Sequence, residues 1–566
     1  MATNRITGSQ AVILSLLEEG VDTIFGYPGG AIMPIYDALY DFDKKVTHIL
    51  TRHEQGAVHA AEGYAKVTGR AGVCFATSGP GATNLITGIA DAMIDSIPLV
   101  CITGQVASPL LGTDAFQESD IVGISMPITK WNYQITRAEE IPEAIAKAFY
   151  IAQSGRPGPV LLDIAKDAQF QKMDSFRYKK CTKIRSYIPE QPVDPFKVEA
   201  AAKLIDKAQK PLLLFGQGII IAQAEKELRT FIEKTGIPAA WTLLGLSALP
   251  SDHPLNVGML GMHGNYGPNI KTNEADLIIA VGMRFDDRVT GTVNSYAKNA
   301  KIIHLEVDPA EVDKIIKTDV AVLGNAKKSL EMLTCNVKQN KHDRWLQEFR
   351  ACDRIEQEKV ISKDVYPEKP GLTMGEAVRI ASEKTNHEAI LVTDVGQQQM
   401  IASRYFKFKH SKSNVTSGGL GTMGYAIPAS LGAQLGAPNR TVVTFVGDGG
   451  FQMTLQELGT IVQNKLPVKI ILLNNNFLGM VRQWQQMFFE KRYSFTELQN
   501  PDFIMIANGF GMAAHKVTQR EDLAPGIQKM LDHDGPYLLE VVVEKEDNVF
   551  PMVPTGASVS DIILEA

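Results

Sequence analysis

Short runs of β-branched and apolar residues alternate along the whole chain with longer amphipathic stretches, and few architectures can accommodate that alternation. The runs are Gly72–Ala76, Leu99–Thr103, Val160–Ile164, Leu212–Phe215, Leu277–Val281, Ile302–Val307, Ala389–Thr393, Val442–Val446, Ile470–Leu473 and Leu538–Val543. Runs that are apolar throughout suit strands buried on both faces, and the intervening stretches supply the crossover helices that parallel strands need. The fold class is therefore α/β, with doubly wound parallel sheets covered by helices. At 566 residues the chain exceeds one hydrophobic core, and at roughly 100–200 residues per domain it predicts about three domains. Composition shifts mark the joins. Phe170 to Pro195 is polar, basic and without periodicity, and His342–Pro370 is a charged, helix-like segment ending in Tyr-Pro-Glu-Lys-Pro-Gly. The predicted domains are residues 1–178, 190–342 and 371–566.

The formal net charge of -6 carries no basic stripe, which argues against nucleic acid or an anionic membrane as partner. No apolar run reaches the ~18–20 residues of a membrane span. Five cysteines without a C-x-x-C pair form neither a disulfide framework nor a zinc site. The first residues lack an apolar signal core. The expected location is the cytoplasm of a prokaryote, or an organelle after removal of a transit peptide.

A weak internal repeat adds more. FATSGPGATNLITGIADAMIDSIPLVCITG around Phe75 and FVGDGGFQMTLQELGTIVQNKLPVKIILLNN around Phe445 share a layout of strand, glycine-rich turn, helix, proline and strand. Counting back from Pro98 and Pro467 sets Gly79 opposite Asp448, so only the later copy has a carboxylate at the turn. The two outer domains read as copies of one unit with divided labour.

In the later copy the strand runs into Gly447-Asp448-Gly449-Gly450, with a helix expected from about Thr454. Free backbone N–H groups at such a turn suit a diphosphate. Asp448 would repel that phosphate unless a hard cation lay between them, and Mg²⁺ shared between protein oxygens and phosphate meets the need. The next strand ends in Asn474-Asn475-Asn476, at the strand carboxyl ends where open α/β sheets collect ligands. Here the sequence resembles the thiamine-diphosphate enzyme family, whose magnesium motif is G-D-G followed by N-N. The resemblance implies Asp448, Asn475 and the carbonyl of Phe477 as metal ligands. Gly447, Gly449 and Gly450, together with Gln397 and Met480, would contact the cofactor. In the first domain, Arg52-His53-Glu54-Gln55-Gly56 matches the family's context for the Glu that hydrogen-bonds the aminopyrimidine, which gives Glu54. Met423 in Gly421-Thr422-Met423-Gly424 corresponds to the residue that bends thiamine into its reactive shape. Gly29, in Gly26-Tyr27-Pro28-Gly29-Gly30, and Gly79 are placed close to the cofactor.

Further blocks resemble the acetohydroxyacid synthase large subunits within that family. They include Gly112-Thr113-Asp114-Ala115-Phe116-Gln117-Glu118, Arg284-Phe285-Asp286-Asp287-Arg288-Val289-Thr290-Gly291, and Asn474–Met480 continued by Val481-Arg482-Gln483-Trp484. By this resemblance Arg284 binds the carboxylate of a 2-oxo acid, Trp484 shapes the acceptor pocket, Phe116 neighbours the substrate and Gln117 is a catalytic neighbour. Phe215-Gly216-Gln217-Gly218 after a strand suggests a degraded dinucleotide fold, and the resemblance makes the ligand FAD. Gly216, Gly218, Thr242, Leu243, His263, Arg288, Glu306 and Asn325 would be the contacts. Glu306 and Asn325 both depart from the Asp usual in the family. The three domains would then be pyrimidine-binding, FAD-binding and diphosphate-binding.

The resemblance implies decarboxylation of pyruvate on thiamine diphosphate and transfer of the hydroxyethyl unit to a second 2-oxo acid. Pyruvate as acceptor gives 2-acetolactate, and 2-oxobutanoate gives 2-aceto-2-hydroxybutanoate. It also implies a homodimer or tetramer, because Glu54 and Asp448 would meet across subunits, and a small regulatory subunit as partner. A flavin-dependent pyruvate oxidase of the same superfamily is the alternative. A glyoxylate carboligase lacks the Glu that Glu54 supplies.

Overall fold

The computed structural model describes residues 5–565 and contains three six-stranded sheets in which every strand pairing is parallel. In the first sheet the order is Thr47–Leu50, Thr23–Gly26, Gly72–Ala76, Leu99–Gln105, Pro159–Ala165, Trp131–Ile135. In the third it is Asn414–Thr416, Ile390–Thr393, Val442–Gly447, Lys469–Asn474, Tyr537–Val542, Ala513–Val517. Numbered along the chain within each sheet, both read 2-1-3-4-6-5, so the repeat seen in the sequence is a repeat of whole topology. The middle sheet runs Asn256–Met259, Ala239–Trp241, Pro211–Phe215, Leu277–Val281, Lys301–Glu306, Val320–Leu323. That is 3-2-1-4-5-6, the order of dinucleotide-binding folds. Among the described residues no helix is long and apolar enough to cross a membrane.

Strands such as Pro211–Phe215 and Leu277–Val281 are buried along their whole length, which explains their unbroken apolar runs. The charged stretch after His342 forms helix Asp343–Glu356. Its apolar stripe turns Trp345 and Phe349 into the middle domain's core, and Trp345 Nε1 donates to the Pro211 carbonyl at 2.9 Å. One local expectation is corrected. The helix after the glycine-rich turn starts at Asp448 rather than near Thr454, with Gly447 as its extended N-cap. An acidic side chain in the first turn complements the helix dipole, and it outweighs the turn-forming tendency of the glycines.

The outer domains meet through equivalent helices, Glu54–Thr68 and Ala426–Gly436. Ala60 lies against Gly432, and Ala429 against Gly63. The two contacts interchange under one offset, since 432 − 63 and 429 − 60 both equal 369, as does 448 − 79. The contact is thus a pseudo-twofold axis relating the repeats. The backbones approach so closely that a Cβ on Gly432 would lie 2.7 Å from the Ala60 carbonyl carbon, and one on Gly63 would lie 2.8 Å from that of Ala429.

Beside this seam is a cluster of buried polar groups. His59 Nδ1 lies 2.9 Å from Glu62 Oε1, Ser417 Oγ donates to Asp91 Oδ1 at 2.8 Å, and Lys66 pairs with Asp95 at 3.0 Å. Asp95 also accepts the Gly418 and Gly419 N–H groups, and the Tyr425 ring packs edge-on against His59. Burial raises the Glu62 carboxyl well above its usual range and Asp91 to about 8, and lowers His59 to about 4. Burial thus works against the charged forms of both acids and of the imidazole, beside the Lys66–Asp95 ion pair.

Two outcomes follow. Gly432→Ala forces a methyl into the Ala60 backbone and should cost about 1–3 kcal/mol, read as a lower thermal unfolding midpoint; an unchanged midpoint would contradict the close seam. Asp91 has its folded pKa raised, so its contribution to stability is full below about pH 4 and is lost as pH rises towards 8. Asp91→Asn keeps the Ser417 bond and should flatten the decline in stability between pH 6 and 9 relative to the wild type, as measured by thermal unfolding across that range.

Candidate active site

The sequence-predicted residues fall into three groups. In the first domain, Glu54 opens helix Glu54–Thr68, with His53 as N-cap. Its carboxylate is nearly buried, and Oε2 accepts from Asn84 Nδ2 at 2.9 Å. A Cβ on Gly81 would come within 3.1 Å of Glu54 Oε1, and one on Gly29 would strike Thr77 at 2.5 Å. Gly29, Thr77, Gly81 and Glu54 thus gather where the strand order reverses, between Thr23–Gly26 and Gly72–Ala76, which is where doubly wound sheets bind ligands. Gly79 has φ +59° and lies against the Gln117 backbone. Phe116 is 88% exposed, so this chain alone does not bring it to the other substrate residues.

The second group occupies the matching switch point of the third sheet. Asp448 is buried, and desolvation raises its carboxyl to about 6 despite bonds from Asn500 and the Gly449 N–H. Asn500 Nδ2 lies 2.7 Å from Asp448 Oδ2, 2.9 Å from Asn474 Oδ1 and 3.0 Å from Asn476 Oδ1. The three asparagines have separate tasks. Asn474 donates to Glu540 at 2.8 Å, and Asn476 takes φ +56°, which Asn tolerates. Asn475 turns inward, with Oδ1 accepting from the Phe477 N–H and Nδ2 3.4 Å from Gln397 Oε1. The pairing of Phe477 with Glu497 carries the chain back so that Asn500 reaches Asp448. Gly447 offers no side-chain cap to its helix, and Gly450 leaves room for Asp394, which accepts from the Gly424 and Tyr425 N–H groups. Met423 Cε would be 3.6 Å from a Cβ on Gly449.

The third group lines one cavity of about 850 Å³ between the domains. All eight residues assigned to flavin face it: Gly216, Gly218, Thr242, Leu243, His263, Arg288, Glu306 and Asn325. Arg284, Met480 and Trp484 face it too. Gly216 and Gly218 press on the backbone of Gly282 with no room for a Cβ, at the switch point between Pro211–Phe215 and Leu277–Val281. Glu306 Oε1 accepts from the Val307 and Asp308 N–H groups, and burial raises its carboxyl to about 7. His263 is buried, its Nδ1 has no partner among the described residues, and its imidazole is lowered to about 4 by desolvation and Arg404. The Arg284–Gly291 block has a local logic. Asp286 caps the turn Asp287–Thr290, Phe285 packs edge-on against Tyr296 and His304, and Arg284 is left facing the cavity.

Sequence reasoning missed Asn84, Asp394, Gln483 and Asn500. Asn500 stands 52 residues beyond Asp448, after an irregular stretch with no periodic signal. Gln483, the acceptor for Gln397 Nε2 at 2.9 Å, stood inside a quoted block without an assigned role.

Comparison with known proteins gives the family. Residues 6–124 match the N-terminal TPP binding domain of thiamine pyrophosphate enzymes, 198–333 their central domain and 394–541 their C-terminal TPP binding domain. The acetolactate synthase large subunit of Corynebacterium glutamicum is 48% identical over 574 residues, covering 99% of this chain and 90% of that protein. The acetolactate synthase isozyme 2 large subunit of Escherichia coli is 47% identical, covering 99% of each, and the chloroplastic acetolactate synthase 2 of Nicotiana tabacum is 44% identical, covering 99% and 85%. The chain belongs to the thiamine pyrophosphate enzymes and, within them, to the acetolactate synthase large-subunit family.

Proposed function

We propose that this chain decarboxylates pyruvate and joins the remaining two-carbon unit to a second 2-oxo acid, giving 2-acetolactate from pyruvate or 2-aceto-2-hydroxybutanoate from 2-oxobutanoate. The observation that carries this is the shared cavity, in which Arg284 of the middle domain faces Met480 and Trp484 of the third. Those two residues lie on the helix that follows Asn475. A planar guanidinium suits the carboxylate of a 2-oxo acid. Trp484, 36% exposed at the cavity wall, offers an apolar surface to the acceptor's alkyl end, where one methylene is worth about 1–3 kcal/mol.

The residues fit thiamine diphosphate and Mg²⁺. The helix start at Gly447–Gly450 has no side-chain cap and presents backbone N–H groups that suit a diphosphate, and Asp448 and Asn475 would offer one anionic and one neutral oxygen, with the Phe477 carbonyl as third ligand. Bound there, thiamine diphosphate supplies a nucleophilic carbon and an electron sink for decarboxylation. Glu54 would hold the aminopyrimidine by a hydrogen bond, and Asn84 fixes the Glu54 carboxylate for that task. Met423 would support the cofactor, Gln397 holds Asn475, and Gly29, Gly79 and Gln117 would form the opposite wall. FAD fits the glycine cradle at Gly216, Gly218 and Gly282, and His263 Nδ1 awaits a partner there.

The hydrogen bonds of Glu54 and of Asp448 stay within their own domains. Their joint use of one cofactor rests on a second copy of the chain, in a homodimer or tetramer. Exposed Leu110, Phe116 and Met126 in the first domain and Phe488, Phe489 and Phe495 in the third are apolar surface for that contact. A small regulatory subunit as partner and a cytoplasmic location complete the proposal.

Glu54→Gln should lower acetolactate formation from pyruvate by at least about 100-fold with the far-UV circular dichroism unchanged, and near-wild-type turnover would remove Glu54 from its role. Asn500→Ala releases the Asp448 carboxylate and should raise the Mg²⁺ concentration for half-maximal activity about 10–100-fold. An unchanged magnesium titration would show that Asp448 needs no such support.

A further inference from the structure

Helix Gln397–Tyr405 has one end in each of two sites. At its start, Gln397 Nε2 donates to Gln483 Oε1 at 2.9 Å and to the Asp547 carbonyl at 2.8 Å, and its Oε1 faces Asn475 Nδ2. Met400, one turn on, lines the interdomain cavity. At the far end, seven residues or about 10 Å along the axis, Arg404 is buried and leaves the third domain altogether. Its Nη1 donates to the Gly264 carbonyl at 2.9 Å, and its Nη2 meets Glu356 Oε1 at 2.5 Å. Glu356 is equally buried and grips the same loop from the other side. It accepts from Asn265 Nδ2 at 3.0 Å and from the Tyr266 N–H at 2.6 Å. The loop so held, Gly261–Gly264, forms the cavity wall that carries His263.

Removing one partner of a buried ion pair leaves the other charge uncompensated, so the loop cannot leave its place cheaply while the pair is intact. The pair also joins three separate elements: a helix of the diphosphate domain, the helix Asp343–Glu356, and a loop of the dinucleotide fold. A planar guanidinium that bonds Gly264 and Glu356 in different directions suits such a junction, which an ammonium would serve poorly.

We propose that Arg404 and Glu356 are positioning residues that couple the two cofactor sites. They seat the His263 loop against helix Gln397–Tyr405, so that ordering Gln397 at the thiamine end firms the flavin wall at the other. Linkage requires the effect to be reciprocal. The inference rests on the proposal that the cavity takes FAD.

The test is the FAD dissociation constant of the full-length protein, read from flavin fluorescence, with and without thiamine diphosphate and Mg²⁺. The wild type should bind FAD on the order of 10-fold more tightly when the second cofactor is present. Glu356→Gln, close to isosteric, should weaken FAD binding and abolish that tightening while leaving thiamine diphosphate binding in the absence of FAD unchanged. A merely structural role would lower the unfolding midpoint but leave the tightening factor intact. If Glu356→Gln does not fold, Arg404→Lys, which keeps the charge and loses the fork, carries the same two outcomes. A variant with wild-type FAD affinity and wild-type tightening overturns the coupling alone. Absence of FAD binding by the wild type overturns the flavin assignment and the coupling together.

Discussion

The close contact between helices Glu54–Thr68 and Ala426–Gly436 is the constraint on which the rest of the structure depends. Only residues with little or no side chain permit the approach, and Ala60, Gly63, Ala429 and Gly432 supply it from both sides in the same pattern. A contact of this kind orients two domains more sharply than a broad apolar face, because the backbones themselves set the spacing. It also brings polar groups into the seam. Lys66 and Asp95 form an ion pair, and burial shifts Glu62, Asp91 and His59 towards their uncharged forms. The seam then fixes the pseudo-twofold relation, and with it the places of the functional residues. Glu54 begins one helix, and Met423, at the same offset (423 − 54 = 369), precedes the other. Equivalent positions in a repeated unit thus hold an acid in one copy and an apolar wedge in the other.

The features of the sequence that could be interpreted were those set by local chemistry. Strands buried on both faces have no polar positions to interrupt them, so Leu277–Val281 and Gly72–Ala76 were legible to the residue. The Asp448 turn and the Asn474–Asn476 strand end were legible as the carboxyl ends of neighbouring strands, where the glycines and asparagines interrupt apolar runs. The repeat was visible for a similar reason, since glycines and prolines at fixed offsets survive where surface residues do not carry a signal.

What stayed hidden depends on long-range contact. Asn500 acts on Asp448 only because Phe477 pairs with Glu497, and Asn84 acts on Glu54 only because the helix after Gly79 folds back over it. The helix start at Asp448 was misplaced because glycines favour turns locally, whereas the dipole and the sheet behind the turn favour a helix. The 3-2-1-4-5-6 order of the middle sheet was not readable from Gly216 and Gly218 alone. It emerges from which strands pair, and it makes those two glycines meaningful by setting them against Gly282 at the switch point.

The asymmetry between the outer domains also has a steric basis. Asp448 can carry a carboxylate because its backbone is the first turn of a helix, with Asn500 arriving from outside to hold the oxygen. The equivalent Gly79 stands at φ +59°, where a side chain is strained, and a Cβ there would lie 2.8 Å from the Gln117 carbonyl oxygen. The loop bearing Phe116 and Gln117 therefore occupies in the first domain the place that a side chain at position 79 would need. A carboxylate at position 79 would have to displace that loop, and the first domain carries its buried acid at Glu54 instead, one crossover earlier. On the proposed function, two copies of one fold would then face the same cofactor without two anionic turns competing for it.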